Sequence, residues 1–175
     1  MGRPDLEARL RRIRLLALDV DGVLNDGQIY LSSIDEIKPF FSRDGIGLKC
    51  LHLSGLKSAI ITARSSPAVT RRARELSISE VVLNAEHKGE ALKGLCQRLS
   101  LSLEEAAFLG DDLQDLSALM IAGVAFSVAD CPPEVRARVD VVTRARGGRG
   151  AVREAVETLL KAQGRWDEIV ARFLA

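Results

Sequence analysis

Aromatic side chains are scarce: one Trp, one Tyr and five Phe make up 4% of 175 residues, so a core has to come from Leu, Ile, Val and Ala. Cysteine is scarce as well. Cys50, Cys96 and Cys131 form an odd set without a Cys-x-x-Cys pair, which argues against a disulfide framework and against a thiolate zinc site. His52 and His87 are too few and too far apart to make a histidine-based metal site. Net charge is almost missing too, since 25 Lys and Arg face 24 Asp and Glu, and a formal +1 exerts no general pull on nucleic acid or anionic membrane. No apolar run approaches the roughly 20 residues that span a bilayer. The charged start, Arg3, Asp5, Glu7, Arg9, Arg11, Arg12 and Arg14, contains no secretory-signal pattern. These absences predict a soluble cytoplasmic protein with neither nucleic acid nor membrane as partner.

What is present is an apolar fraction of 47% in a chain of 19.0 kDa, enough for one domain spanning 1–175. Short apolar runs alternate with longer amphipathic stretches, the pattern of successive β-α units around a parallel sheet. Strands are predicted at 14–20, 57–62, 81–82, 106–109, 124–128 and 140–142. Helices are predicted at 43–54, 67–76, 88–99, 113–122, 133–138, 151–162 and 166–174, the last within a C-terminal segment 165–175. Runs at 28–31 and 37–41 around a turn at 32–36 fit a β-hairpin, a flap within 27–42. Ser102 with Glu105 reads as a capping box. The predicted fold is α/β, a three-layer Rossmann-like sandwich whose ligands bind at the carboxyl ends of its strands.

Two acidic clusters fall at those ends. The first strand runs directly into DVDGVLNDG, where Asp19 and Asp21 alternate and Gly22 permits a sharp turn. GDDLQD follows the strand at 106–109 and brings Asp111, Asp112 and Asp115 to the same edge. So many carboxylates together call for a hard, oxygen-seeking cation such as Mg²⁺, although acidic capping of the helix from Leu113 would also explain the second cluster. Thr62 ends the second core strand, with the backbone N–H groups of Ala63 and Arg64 beside it as phosphate donors. Lys88 opens the next helix but one and would balance a phosphoryl group.

In this order the four blocks resemble the motifs of the haloacid dehalogenase-like phosphatase superfamily. RDGIG at 43–47, the Thr62-x-Arg64 step and RGGRGAVRE at 146–154 are similar, more specifically, to the 3-deoxy-D-manno-octulosonate 8-phosphate phosphatases of lipopolysaccharide sugar synthesis. The resemblance implies Asp19 as nucleophile, Asp21 as general acid and base, and Thr62 and Lys88 as phosphate ligands. It implies Mg²⁺ held by Asp19, by the backbone carbonyl of Asp21 and by Asp111. Sugar-phosphate contacts would be Ser42, Arg43, Asp44, Gly45, Lys49, Arg64 and Arg72. Ala63 stands where the family usually carries Gly, and His87 where it carries Asp; both bear on substrate fit more than on chemistry. A nine-carbon 2-keto-3-deoxy-nononate 9-phosphate is the alternative substrate, and Arg64 favours the octulosonate because relatives acting on the longer sugar carry Glu there.

The spans between motifs are already filled, so no cap domain fits. The family closes its site through tetramer contacts of the hairpin, which implies a homotetramer here, with Ile29, Tyr30, Phe40 and Phe41 as its apolar face. The basic glycine loop 144–150 reads from composition as a mobile surface loop, and from the resemblance as a cover over the sugar phosphate. Two non-enzyme alternatives are a signalling receiver domain and a silent binding module. Receivers place the phosphorylated Asp after the third strand, where this chain has only Val82, Leu83 and Asn84.

Overall fold

The computed structural model describes residues 5–31 and 36–174. The hairpin turn predicted at 32–36 lies outside the described residues except for Glu36. The chain runs through α1 (Leu6–Arg12), β1 (Leu15–Leu18), β2 (Tyr30–Leu31), β3 (Glu36–Ile37), α2 (Ser42–Leu53), β4 (Lys57–Ile61), α3 (Pro67–Glu75), β5 (Glu80–Val82) and α4 (Lys88–Arg98). It continues through β6 (Ala106–Gly110), α5 (Leu116–Leu119), β7 (Val124–Ser127), α6 (Pro133–Arg136), β8 (Val141–Val142), α7 (Ala151–Ala162) and α8 (Trp166–Ala171). Six strands form one parallel sheet in the order β5-β4-β1-β6-β7-β8, while β2 and β3 pair antiparallel as a separate hairpin.

Each core strand is buried on both faces because helices cover both sides, so its sequence is continuously apolar rather than alternating. Phe108 and Phe126, two of the few aromatics, are fully buried in β6 and β7. The connection from β1 to α2 carries the hairpin. No helix among the described residues is long and apolar enough to cross a membrane.

In the fold, four departures from the sequence expectations stand out. Residues 5–12, read only as a charged terminus, include helix α1; Arg9 on it donates twice to the Gly123 carbonyl and binds Asp140 in a paired ion bridge at 2.7 and 2.6 Å. The helix predicted at 113–122 is a 3₁₀ turn (Leu113–Asp115) followed by α5, because Asp112 and Asp115 cap the turn and tighten it. The glycines of 144–150 confer close packing rather than mobility. Gly147 and Gly148 are buried, the Gly148 N–H donates to Val23 O at 2.9 Å, and a Cβ on Gly147 would overlap the Gly22 carbonyl oxygen. Finally, Phe40 and Phe41 are half-buried, with the Arg72 guanidinium 5.5 Å from the Phe40 ring centre, so among the described residues the exposed hairpin face is Ile29, Tyr30, Leu31 and Ile37.

Gly147→Ala should therefore cost about 1–3 kcal/mol of stability, because backbone must shift to admit the methyl group. Arg146→Ala, on an exposed side chain one residue away, should stay within about 0.5 kcal/mol. Denaturant melts of the two variants check this; equal stabilities would mean that the loop is not pinned.

Candidate active site

β4, β1 and β6 are neighbours in the sheet, and each ends one residue before a predicted site residue: Thr62, Asp19 and Asp111. Parallel pairing without slippage puts all three at one edge, where the strand order diverges on either side of β1. Lys88 enters the same place from the start of α4. Its Nζ lies 2.9 Å from Asp19 Oδ2 and donates to Asp115 Oδ1 at 2.5 Å, and all three side chains are buried.

Carboxylate oxygens of Asp19, Asp111 and Asp115 lie within 4.8 Å of one another. Three acids around one lysine leave excess negative charge, and ionisation suffers for it. Burial, then the Asp115 charge, pushes Asp19 up to about 7 despite Lys88. Burial and the neighbouring Asp115, Asp19 and Asp112 push Asp111 up to about 8. Burial opposes the charge on Lys88, but Asp19 and Asp115 outweigh it and raise its pKa.

Both Asp115 oxygens are occupied, Oδ1 by Lys88 and Oδ2 by the N–H groups of Asp111 and Asp112 at 2.8 and 3.2 Å. Asp111 Oδ1, by contrast, is buried with no hydrogen-bond partner. A divalent cation beside Asp19 and Asp111 would satisfy that oxygen and cancel the excess charge, so the donor set fits a hard metal ion. Gly22, at φ +88°, makes the approach possible, since a Cβ there would run into the Asp111 carboxylate.

The Asp21 carboxylate is not one of these three clustered acids, and it does not leave from the strand as alternation with Asp19 would require. The strand stops at Leu18, and Asp21 sits in the following turn. Its Oδ1 instead accepts from Asn25 Nδ2 at 2.8 Å and from Lys38 Nζ at 2.5 Å, with Arg64 Nε 3.7 Å from Oδ2. Thr62 is buried and its Oγ1 accepts the Arg64 N–H at 3.3 Å, which commits one of the two amides expected to meet phosphate.

The predicted sugar contacts scatter. Asp44 is buried and its carboxylate accepts the N–H groups of Gly150 and Arg153 at 3.2 and 2.8 Å, capping α7; burial raises its pKa while those amides oppose the rise. Gly45 is buried against Arg72, and Arg43 is exposed. Ser42, Gly45, Lys49 and Arg72 line a groove of about 630 Å³ between α2 and α3 that none of Asp19, Asp21, Thr62, Lys88 and Asp111 lines. Lys49 is seven residues, about 10 Å, along α2 from Ser42, with Phe173 under its ammonium at 5.9 Å. Arg64 is the member of that set beside the acidic residues.

A family model for haloacid dehalogenase-like hydrolases matches residues 75–154. The 3-deoxy-D-manno-octulosonate 8-phosphate phosphatase of Escherichia coli K12 is 43% identical over 165 residues, covering 94% of this chain and 88% of its own. The chain belongs to this phosphatase family of the haloacid dehalogenase-like hydrolases. The family enzyme from Haemophilus influenzae is 38% identical, covering 91% of this chain and 89% of its own. A crystal structure of the family member from Moraxella catarrhalis, in complex with magnesium ion, phosphate ion and KDO, superposes with a TM-score of 0.93 at 45% identity over 95% of this chain and 97% of that one.

Of the two departures from the family pattern, Ala63 is half-buried beside Thr62, and His87 is an exposed residue preceding α4 that makes no side-chain cap. Neither faces the carboxylate cluster through a hydrogen bond. Four residues that contact Lys88, Asp21 or Arg64 here were given no role from sequence: Asp115, Asn25, Lys38 and Glu36. Asp115 and Asn25 lie inside the two acidic blocks, where their order is visible but their partners are not. Glu36 and Lys38 alternate along the hairpin, the one signal that they share a face.

The raised carboxyls set a pH dependence. Between the ordinary carboxylate range and about pH 8, the native metal-free site retains protons that the unfolded chain has released, so stability falls as pH rises. Melting temperature in chelator should drop from about pH 5 to about pH 9, whereas saturating Mg²⁺, which binds the ionised carboxylates, should flatten or reverse that drop. A melting temperature indifferent to Mg²⁺ at the alkaline end would contradict the assignment.

Proposed function

We propose that the chain is a Mg²⁺-dependent phosphatase hydrolysing 3-deoxy-D-manno-octulosonate 8-phosphate to the free sugar acid and phosphate, in lipopolysaccharide sugar biosynthesis in the cytoplasm. The observation that carries this is the buried Asp19 carboxylate, 2.9 Å from the Lys88 ammonium at the sheet edge, with the unpartnered Asp111 oxygen close by. Identity to the octulosonate phosphatases over nearly the whole chain supports the substrate.

Asp19 and Asp111, with the Asp21 backbone carbonyl, would hold Mg²⁺, which when bound polarises the phosphoryl oxygens and screens the carboxylates from one another. An oxygen of Asp19 attacks phosphorus, the bond from phosphorus to the sugar oxygen breaks, and Asp21 gives that oxygen its proton. Water then attacks the phosphoaspartate, Asp21 takes the proton, and the bond from phosphorus to Asp19 breaks to release inorganic phosphate. Lys88 and Thr62 bind the phosphoryl oxygens, so the charge of the transferring group meets preorganised donors. Arg64 meets the sugar acid in this reading, which its half-exposed position beside Asp21 supports.

The hairpin supplies the missing wall. Leu31 is 82% and Ile37 63% exposed, with Ile29 and Tyr30 beside them, an apolar face that packs against copies of itself in a homotetramer. Tyr30→Ser with Ile37→Ser should dissociate the assembly and lower activity on the sugar phosphate more than on a small aryl phosphate. Light scattering that finds a fully active monomer would overturn this arrangement.

Asp19→Asn should abolish release of phosphate from the octulosonate 8-phosphate while leaving the fold intact, because the amide is isosteric but cannot form the acyl phosphate. Activity within tenfold of the unaltered enzyme would sink the nucleophile assignment. Chelation should remove activity and Mg²⁺ restore it, with Ca²⁺ a poor substitute owing to its larger and looser coordination. Comparing kcat/KM on the eight- and nine-carbon sugar phosphates decides the substrate.

A further inference from the structure

The carboxylate assigned as acid and base is gripped by a lysine that the two chemical steps do not use. The Lys38 side chain is wholly enclosed, with its Nζ 2.5 Å from Asp21 Oδ1. Asn25 Nδ2 donates to the same oxygen, and Asn25 is itself fixed, buried and accepting the Gly27 and Gly22 N–H groups on its own Oδ1 at 2.8 and 3.3 Å. Both hydrogen-bond donors converge on Oδ1, so Oδ2, which lies 3.7 Å from Arg64 Nε and beyond hydrogen-bond distance of it, is the oxygen left for proton transfer.

Lys38 reaches Asp21 from the hairpin. Glu36 and Lys38 turn inward while Ile37 between them turns out. Four side chains then close a ring of alternating charge: Lys38 to Asp21 at 2.5 Å, Asp21 to Arg64 at 3.7 Å, Arg64 to Glu36 at 2.9 Å and Glu36 to Lys38 at 3.7 Å. The ring ties the flap to the loops that follow β1 and β4. A buried ion pair is a poor source of stability, because desolvation offsets most of the attraction. What Lys38 does contribute is a defined orientation of Asp21.

We propose that Lys38 is a positioning residue for Asp21: by holding Oδ1 it presents Oδ2 as the atom that protonates the leaving oxygen and later deprotonates water. This rests on the phosphatase reading above.

The test is Lys38→Met, followed by rapid mixing with two classes of substrate. A sugar phosphate leaves as an alkoxide and needs the proton, so its phosphoryl-transfer step should slow about 10²-fold, the usual worth of a general acid. 4-Nitrophenyl phosphate has a leaving group that needs no proton. It should still release one nitrophenolate per active site in a burst, followed by slow turnover because the water step has lost its base. Lys38→Gln, which keeps a donor for Oδ1, should recover at least tenfold over the Met variant on the sugar phosphate. Equal losses on both substrates, or no loss on either, would overturn the proposal. Absence of a cooperative melting transition in both variants would also overturn it, making Lys38 a folding residue. If the unaltered enzyme cleaves 4-nitrophenyl phosphate and ribose 5-phosphate but not the octulosonate 8-phosphate, the substrate assignment fails, and ribose 5-phosphate then serves as the alkyl substrate that decides the role of Lys38.

Discussion

One buried ammonium organises the catalytic edge of this protein. Lys88 sits between Asp19 and Asp115 at contact distance, and its positive charge opposes the rise that burial imposes on the Asp19 carboxyl. A single lysine does not suffice for three acids. The remaining imbalance falls on Asp19 and Asp111, whose protons are retained well above the ordinary carboxylate range. The site is therefore built with a deficit of positive charge, and a divalent cation is the group that makes it up. Asp115 is spent on holding Lys88 and the backbone of its own loop, which leaves Asp111 with an unengaged oxygen.

Such crowding requires backbones to approach more closely than side chains permit. Gly22 gives the Asp111 carboxylate its room, Gly110 does the same for Asp115, and Gly147 lies directly on the Gly22 carbonyl. The basic segment near the C-terminus is thus part of the support of the first acidic loop, and Arg149 adds an ion pair to Asp26 at 3.1 Å on the same loop. Asp44 fastens the segment that follows, by capping α7 from α2. Asp44 of the motif RDGIG thus serves the packing of two helices, and Gly47, whose Cβ would come within 2.9 Å of Arg153 Cα, serves the same crossing.

The hairpin has two unlike faces. Its outer side is apolar and exposed, and its inner side carries Glu36 and Lys38 into the charged ring around Asp21. Strand alternation makes the two faces inseparable: a register that turns Ile37 outward turns its neighbours inward. Lys38, the hairpin's donor to Asp21, is thus on the face opposite the apolar one.

Most of the fold was legible in the sequence because continuous apolar runs separated by amphipathic stretches have few solutions other than a covered parallel sheet. The order of Asp19, Thr62, Lys88 and Asp111 along the chain, each at a strand or helix boundary, likewise determined that these residues meet at one edge. Helix α1 was obscured by its charges, since Arg9 does its work against Gly123 and Asp140 from the far end of the chain. Sequence spacing also suggested that strand alternation aligns Asp19 with Asp21, but alternation holds only while the strand lasts, and this one ends at Leu18. Which carboxylate faces the cluster, which one holds the lysine and which glycines are filled by a neighbouring backbone were decided by tertiary structure alone. Those are contacts between segments remote in sequence, and local pattern carries no record of the partner.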